Sequence, residues 1–158
     1  MVSFSYFITL LAATAATSSP TGISSGDLPL EARAGQIYTC KKGDKNDGAL
    51  IGKVSQDKAI GYFRDAKTNA GASGYPKTFD NKGNVLTFAS GCRKNVWELP
   101  VLANGKPFDI HKKINKGKPD ENNPGPMRVY YTKDLKFCAI GTKSNDDNSG
   151  NPHNCKVY

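Results

Sequence analysis

Asn122–Ile140, "NNPGPMRVYYTKDLKFCAI", reads as two strands joined by a tight connection. Arg128–Thr132 ("RVYYT") and the run from Lys136 to Gly141 ("KFCAIG") are rich in β-branched and aromatic residues, the composition of a pleated, half-buried surface. Thr132–Leu135 between them is short enough for a hairpin. Arg128 is a polar residue on the first of these strands.

Further strand signals lie upstream, "VLTF" at Val85–Phe88 and "VWELPV" at Val96–Val101. In the second, alternation puts Trp97, Leu99 and Val101 on one side and Val96, Glu98 and Pro100 on the other. Earlier still, "QIYTC" (Gln36–Cys40) and "GALIGKV" (Gly48–Val54) flank a Gly, Asp, Asn and Lys stretch, the pattern of a β-hairpin. From Ser55 the period changes. Ser55 can cap a helix with Asp57 in its first turn, and Ala59, Ile60, Phe63 and Ala66 recur at helical spacing up to about Asn69. The expected class is therefore α+β: an N-terminal hairpin, then one amphipathic helix packed on an antiparallel sheet.

The chain starts with an apolar run ending in small residues, "MVSFSYFITLLAATAATSS", too short to span a membrane and shaped like a secretory signal with an A-x-A site at Ala13–Ala15. Residues 1–16 are read as the signal peptide, 17–34 as a pro-segment or unstructured leader, and 35–158 as one domain with one core. The whole chain carries 22 Lys and Arg against 14 Asp and Glu, a formal charge of +8, and loss of the leader raises it to about +9. Such an excess fits RNA, DNA, anionic glycans or membrane surfaces as partners, or simple cationic solubility. Cys40, Cys92, Cys138 and Cys155 all fall in the domain, and an even count in a secreted chain implies two disulfides, with three possible pairings. No C-x-x-C occurs, His111 and His153 are far apart, and no metal or cofactor is expected. Leu102–Met127 is a long segment carrying Lys106, Lys112, Lys113, Lys116 and Lys118, either a solvated loop or a polyanion contact.

Tyr75 in "GYPKTFDN" (Gly74–Asn81), Glu98 and Arg128 stand out as polar residues on or beside predicted strands. A plain reading of the last two is a cross-strand ion pair on a solvated face. Their order says more. Tyr-Pro-x, then Glu before Leu-Pro, then Pro-Gly-x-x-Arg-Val, then Phe-Cys-x-Ile resembles the fungal guanyl-specific ribonucleases and the α-sarcin-type ribotoxins. "PLEARAGQIYTC" (Pro29–Cys40) resembles a ribotoxin precursor junction. The likeness covers nearly all of the domain. It implies a helix on a twisted antiparallel sheet whose concave face holds the site, with disulfides Cys40–Cys155 and Cys92–Cys138.

The resemblance also implies roles: Glu98 as the base that takes the ribose 2′-OH proton, Arg128 as phosphate clamp, and Tyr75 beside it. Two matches fail. The family's Tyr-Pro-His is here Tyr75-Pro76-Lys77, and its Ile-x-x-His-Thr is Ile140-Gly141-Thr142-Lys143, without a histidine. The guanine-reading glutamate is absent from the Asp80–Gly83 run. About twenty residues separate Lys77 from Glu98, leaving no room for the long ribotoxin insertion. His153 is expected near the site, as an exposed terminal histidine or a replacement acid, and is grouped with Lys112, Lys113, Lys116 and Lys118 as an RNA contact. Tyr38-Thr39-Cys40 resembles the Tyr-x-Cys signature of ribonuclease-like effectors delivered into plant hosts. The expectation is a secreted monomer that binds RNA or ribosomes and cleaves poorly. An active endoribonuclease using Glu98 with a substitute acid, and a decoy that binds host proteins, are the alternatives.

Overall fold

The computed structural model describes residues 35–115 and 122–158. The expected signal peptide and leader, together with Lys116 and Lys118, lie outside them. The architecture is α+β, with a three-stranded sheet, a five-stranded sheet and one α-helix among the described residues.

The smaller sheet has the order β2-β1-β8, from β1 (Ile37–Lys41), β2 (Leu50–Ser55) and β8 (Lys156–Val157), all antiparallel. The larger has the order β3-β4-β5-β6-β7, from β3 (Lys77–Phe79), β4 (Val96–Pro100), β5 (Met127–Thr132), β6 (Phe137–Lys143) and β7 (Pro152–Asn154), again antiparallel throughout. The hairpin expected from the quoted stretch is present: Leu135 N donates to Thr132 O and Thr132 N to Lys136 O, each at 2.9 Å.

Helix α1 spans Gln56–Ala66 and is capped by Ser55, whose hydroxyl accepts from Lys58 N at 3.3 Å. It ends three residues before the expected Asn69, because Lys67 takes a positive φ of 53° and turns the chain away. Ala59 and Phe63 face the sheet, and the Phe63 ring stacks on Tyr131 at a centroid distance of 4.5 Å. Met127, Val129 and Tyr131 of β5 and Leu99 of β4 complete this core, so alternation turns Arg128, Tyr130 and Glu98 to the opposite face. Phe63→Ala would cost about 3–5 kcal/mol.

Cys40–Cys155 joins β1 to the segment between β7 and β8, and Cys92–Cys138 ties the loop before β4 to β6. These are the pairs that the resemblance implies.

Two segments differ from expectation. Gly74–Asn81 is more than a turn, since Lys77–Phe79 forms edge strand β3 against β4. Val85–Phe88 is not a strand. Its main-chain groups bond instead to side-chain amides: Asn81 exchanges two bonds with Leu86 (2.7 and 3.1 Å), and Asn154 two with Thr87 (2.7 and 2.9 Å).

Candidate functional site

The β3–β4 register sets Lys77 directly opposite Glu98, and β4–β5 sets Glu98 opposite Tyr130 and Pro100 opposite Arg128. Paired residues share a face, so Lys77, Glu98, Tyr130 and Arg128 stand together on the sheet side away from α1.

Lys77 Nζ is 3.3 Å from Glu98 Oε1 and 4.9 Å from the centroid of the Tyr75 ring. Arg128 Nη2 donates to the Tyr75 hydroxyl at 3.1 Å, with its Cζ 5.3 Å from the same ring. A continuous polar chain thus runs Glu98, Lys77, Tyr75, Arg128. Glu98 is buried (7 % exposed) while the Lys77 side chain is 54 % exposed, so the lysine brings a solvated cation to a desolvated carboxylate. This replaces the plain reading of an ion pair between Glu98 and Arg128.

Arg128 is engaged elsewhere. Its Nη1 donates to the carbonyls of Pro124 (3.2 Å), Gly125 (2.6 Å) and Met127 (2.8 Å), and Nη2 to Asn148 Oδ1 (3.0 Å) as well as to Tyr75. At 3 % exposure the guanidinium knots the Pro124–Met127 turn, with the tyrosine and Asn148 on its remaining edge. Tyr130 lies among these charges. Burial pushes its phenol up, the Glu98 charge adds to that, and Arg128 opposes it.

Tyr130 and Asn148 complete the site without having been singled out from sequence, and Lys143, named there only for the histidine it lacks, shares its face. Tyr130 follows Arg128 by two, so simple alternation along the strand finds it. Lys143 follows Gly141, the partner of Arg128, by two on β6 and so lies on the same side. It also occupies the fourth position of the Ile-x-x-His-like run. Asn148, at a positive φ of 66°, belongs to the loop after β6, which Lys42 and Asp146 brace through a 2.6 Å ion pair.

Lys112 and Lys113 are exposed on the segment after β4, and no hydrogen bond or ion pair among the described residues joins them to Glu98 or Arg128. Their segment reaches the site through Phe108, whose ring meets Tyr75 edge-on at 5.9 Å. His153 is not where the sequence reading put it. It is buried (6 % exposed) rather than exposed, and it pairs with Thr142, whose other partner is Met127 on the helix side of the sheet. Its Nε2 lies 3.0 Å from Lys41 O, linking the two sheets, and it does not face Glu98.

A groove of about 1010 Å³ adjoins the site beyond Val96, between the loop at Asp80–Asn84 and the loop at Phe88–Asn95. Arg93, Lys94 and the Phe79 and Phe88 rings line it. No group of three or more His, Cys, Asp or Glu side chains able to hold a metal occurs among the described residues. No helix there is long and apolar enough to cross a membrane.

A helix over a five-stranded antiparallel sheet, an N-terminal antiparallel pair and two disulfides make this a ribotoxin-like fold. The likeness is to the solved structure of restrictocin, a highly specific Aspergillus ribotoxin, with a TM-score of 0.52 and 22% identity over 76% of this chain and 99% of that one. No family model and no curated protein sequence matches the chain.

Proposed function

We propose that the chain is a secreted ribonuclease-fold protein that binds RNA or a ribosomal surface, cleaves RNA poorly and acts as an effector in a host. One observation carries the reading: the carboxylate that would serve as base is held by Lys77 at 3.3 Å, where the resemblance asks for a histidine. Cleavage at a 2′-OH needs a carboxylate able to accept a proton and an acid to protonate the leaving oxygen. A lysine ammonium is a poorer proton donor near neutrality than an imidazolium, and losing a general acid typically costs about 10²–10⁴-fold in rate. Lys77 and Lys143 keep positive charge on this face, which supports phosphate binding and leaves electrostatics to sustain slow residual cleavage. Lys112 and Lys113 add exposed positive charge on the segment after β4. Two disulfides and a ribotoxin-like fold fit an extracellular protein.

The test is incubation of the purified protein and its Glu98→Gln variant with ribosomal and synthetic RNA, reading binding and cleavage together. Both proteins are expected to bind in a salt-dependent way and to cleave slowly. Wild-type cleavage at the rate of a histidine-bearing ribotoxin, with Glu98→Gln inert, would overturn the impaired reading in favour of an active endoribonuclease.

A further inference from the structure

A second concavity, of about 290 Å³, lies on the helix side of the sheet, the side away from Glu98. Helix α1 contributes Tyr62 and Ala66, β4 contributes Leu99, and the Pro107–His111 segment contributes Phe108 and Ile110. Its walls are braced before any ligand arrives. Tyr62 donates its hydroxyl to Gly105 O at 2.7 Å, and Ser73 N donates to Ile110 O at 3.0 Å. Gly71 lies so close to that segment that an added Cβ would come within 2.2 Å of Ile110 O, so only glycine lets the two backbones meet.

The charge of the groove runs against that of the molecule. The chain carries +8, yet no lysine or arginine lines this groove, whereas Asp65 and Asp109 both do, with His111 the one lining side chain able to carry positive charge. Both aspartates are exposed; the Asp109 carboxylate accepts from His111 N at 2.9 Å, whereas the Asp65 side chain has no hydrogen bond or ion pair among the described residues. An anion would be repelled by the two carboxylates. A neutral apolar group covering them would strip their water without compensation. The fitting occupant has an apolar stem for Leu99, Phe108 and Ile110 and a cationic end for the rim. At about 290 Å³ the groove falls just below the range of drug-sized ligand sites and suits a single long side chain.

We infer that this groove docks an arginine side chain presented by a partner polypeptide. Arginine fits better than lysine because its planar guanidinium can face a carboxylate with two donors, lies flat on an aromatic ring such as Tyr62 or Phe108, and sheds water more easily. The groove opens on the helix side of the sheet, away from Glu98, although its Phe108 wall meets Tyr75 edge-on at 5.9 Å.

The probe is a short capped peptide, acetyl-Gly-Leu-Arg-Gly-amide, beside the same peptide with citrulline, the neutral isostere of arginine. Each is titrated into the full chain while the methyl resonances of Ala66, Leu99 and Ile110 are followed. The arginine peptide is expected to shift these methyls and to bind about fivefold more tightly than the citrulline peptide. Asp65→Asn, on an exposed helix position, should weaken the arginine peptide about threefold and leave the citrulline peptide unchanged. Free arginine amide, lacking the neighbouring residues, should bind more weakly than the peptide. Equal shifts by both peptides, or no groove shifts at millimolar peptide, would each overturn the inference.

Discussion

Lys77 and Glu98 face each other across the β3–β4 pair with Nζ 3.3 Å from Oε1, one side chain largely in water and the other largely out of it. No other hydrogen bond or ion pair of the Glu98 carboxylate occurs among the described residues, so the lysine is the direct partner that offsets its desolvation. Replacing only one partner should therefore hurt more than replacing both. Lys77→Ala is expected to cost about 1 kcal/mol and Glu98→Gln less, with the double variant recovering part of the loss. Urea denaturation of the four proteins measures this coupling, and strictly additive effects would remove the pair as a stabilising unit.

Arg128 makes a different prediction from a free phosphate clamp. Its removal takes the side-chain donor from the carbonyls of Pro124 and Gly125, while Met127 O, in the strand, keeps its bond from Val101 N at 3.1 Å. Arg128→Ala should lower stability by about 3 kcal/mol, roughly 10 °C in Tm for a domain of this size. Arg128→Lys should not restore it, since an ammonium cannot reproduce the planar fork that reaches three carbonyls, Tyr75 and Asn148 together. A thermal melt that barely moves for Arg128→Ala would show the knot to be dispensable.

Strands β5 and β6 were legible because β-branched and aromatic residues and a short connection agree in one stretch, and β4 because its residues alternate. Helix α1 was legible because the Ser55 cap and the apolar period coincide. Strand β3 was not, being three residues between a proline and Asp80, and edge pairing leaves little local signal. Val85–Phe88 has strand-like composition, but Asn81 and Asn154 take the bonds a neighbouring strand would have taken. The site shows the same division. Glu98, Tyr75 and Arg128 could be picked out by type and order, whereas the partner of each depended on register. His153 was misplaced because the β6–β7 pairing, invisible in sequence, turns its ring towards β1.

The two disulfides should differ in weight. Cys40–Cys155 closes a separation of 115 residues and Cys92–Cys138 one of 46. In the chain-entropy model the first is worth about 4.8 kcal/mol and the second about 4, and the first also secures the small sheet. Non-reducing peptide mapping should recover these two linked pairs alone. The Cys40→Ser/Cys155→Ser variant should melt lower than Cys92→Ser/Cys138→Ser, and the reverse order would show that loop length is not what decides.

Stability should decline in alkali. Burial holds the phenols of Tyr130 and Tyr131 above the ordinary range, and Glu98 adds to this at Tyr130 against the opposing charge of Arg128. The unfolded chain releases these protons near pH 10 while the folded state keeps them, so folding free energy is lost as pH rises beyond about 10. Absorbance near 295 nm should show phenols that ionise only as the fold is lost. Tyr131→Phe should reduce that slope and, by deleting the bond to Lys67 O, cost about 1 kcal/mol at neutral pH. An unfolding free energy that stays flat from pH 9 to 11 would contradict the burial of these two hydroxyls.

RNA affinity is the prediction that weighs the basic surface against the cleft. Each phosphate neutralised adds about 0.7 to the slope of log affinity against log salt for a single strand. Lys112 and Lys113 are exposed and make no ion pair among the described residues, so their ammonium groups are available to phosphates without breaking protein contacts. Replacing both with alanine should weaken binding to unrelated sequences by the same factor and flatten the slope by up to about 1.4. Lys77→Ala removes one cation from the cleft and should flatten it by less than about 0.7, since part of that charge already serves Glu98. Fluorescence anisotropy with two synthetic RNAs of different sequence, over a series of salt concentrations, reads all three quantities. A Lys112→Ala/Lys113→Ala protein with unchanged slope would place the RNA elsewhere on the molecule. A loss confined to one of the two sequences would mean that these lysines read bases rather than phosphates.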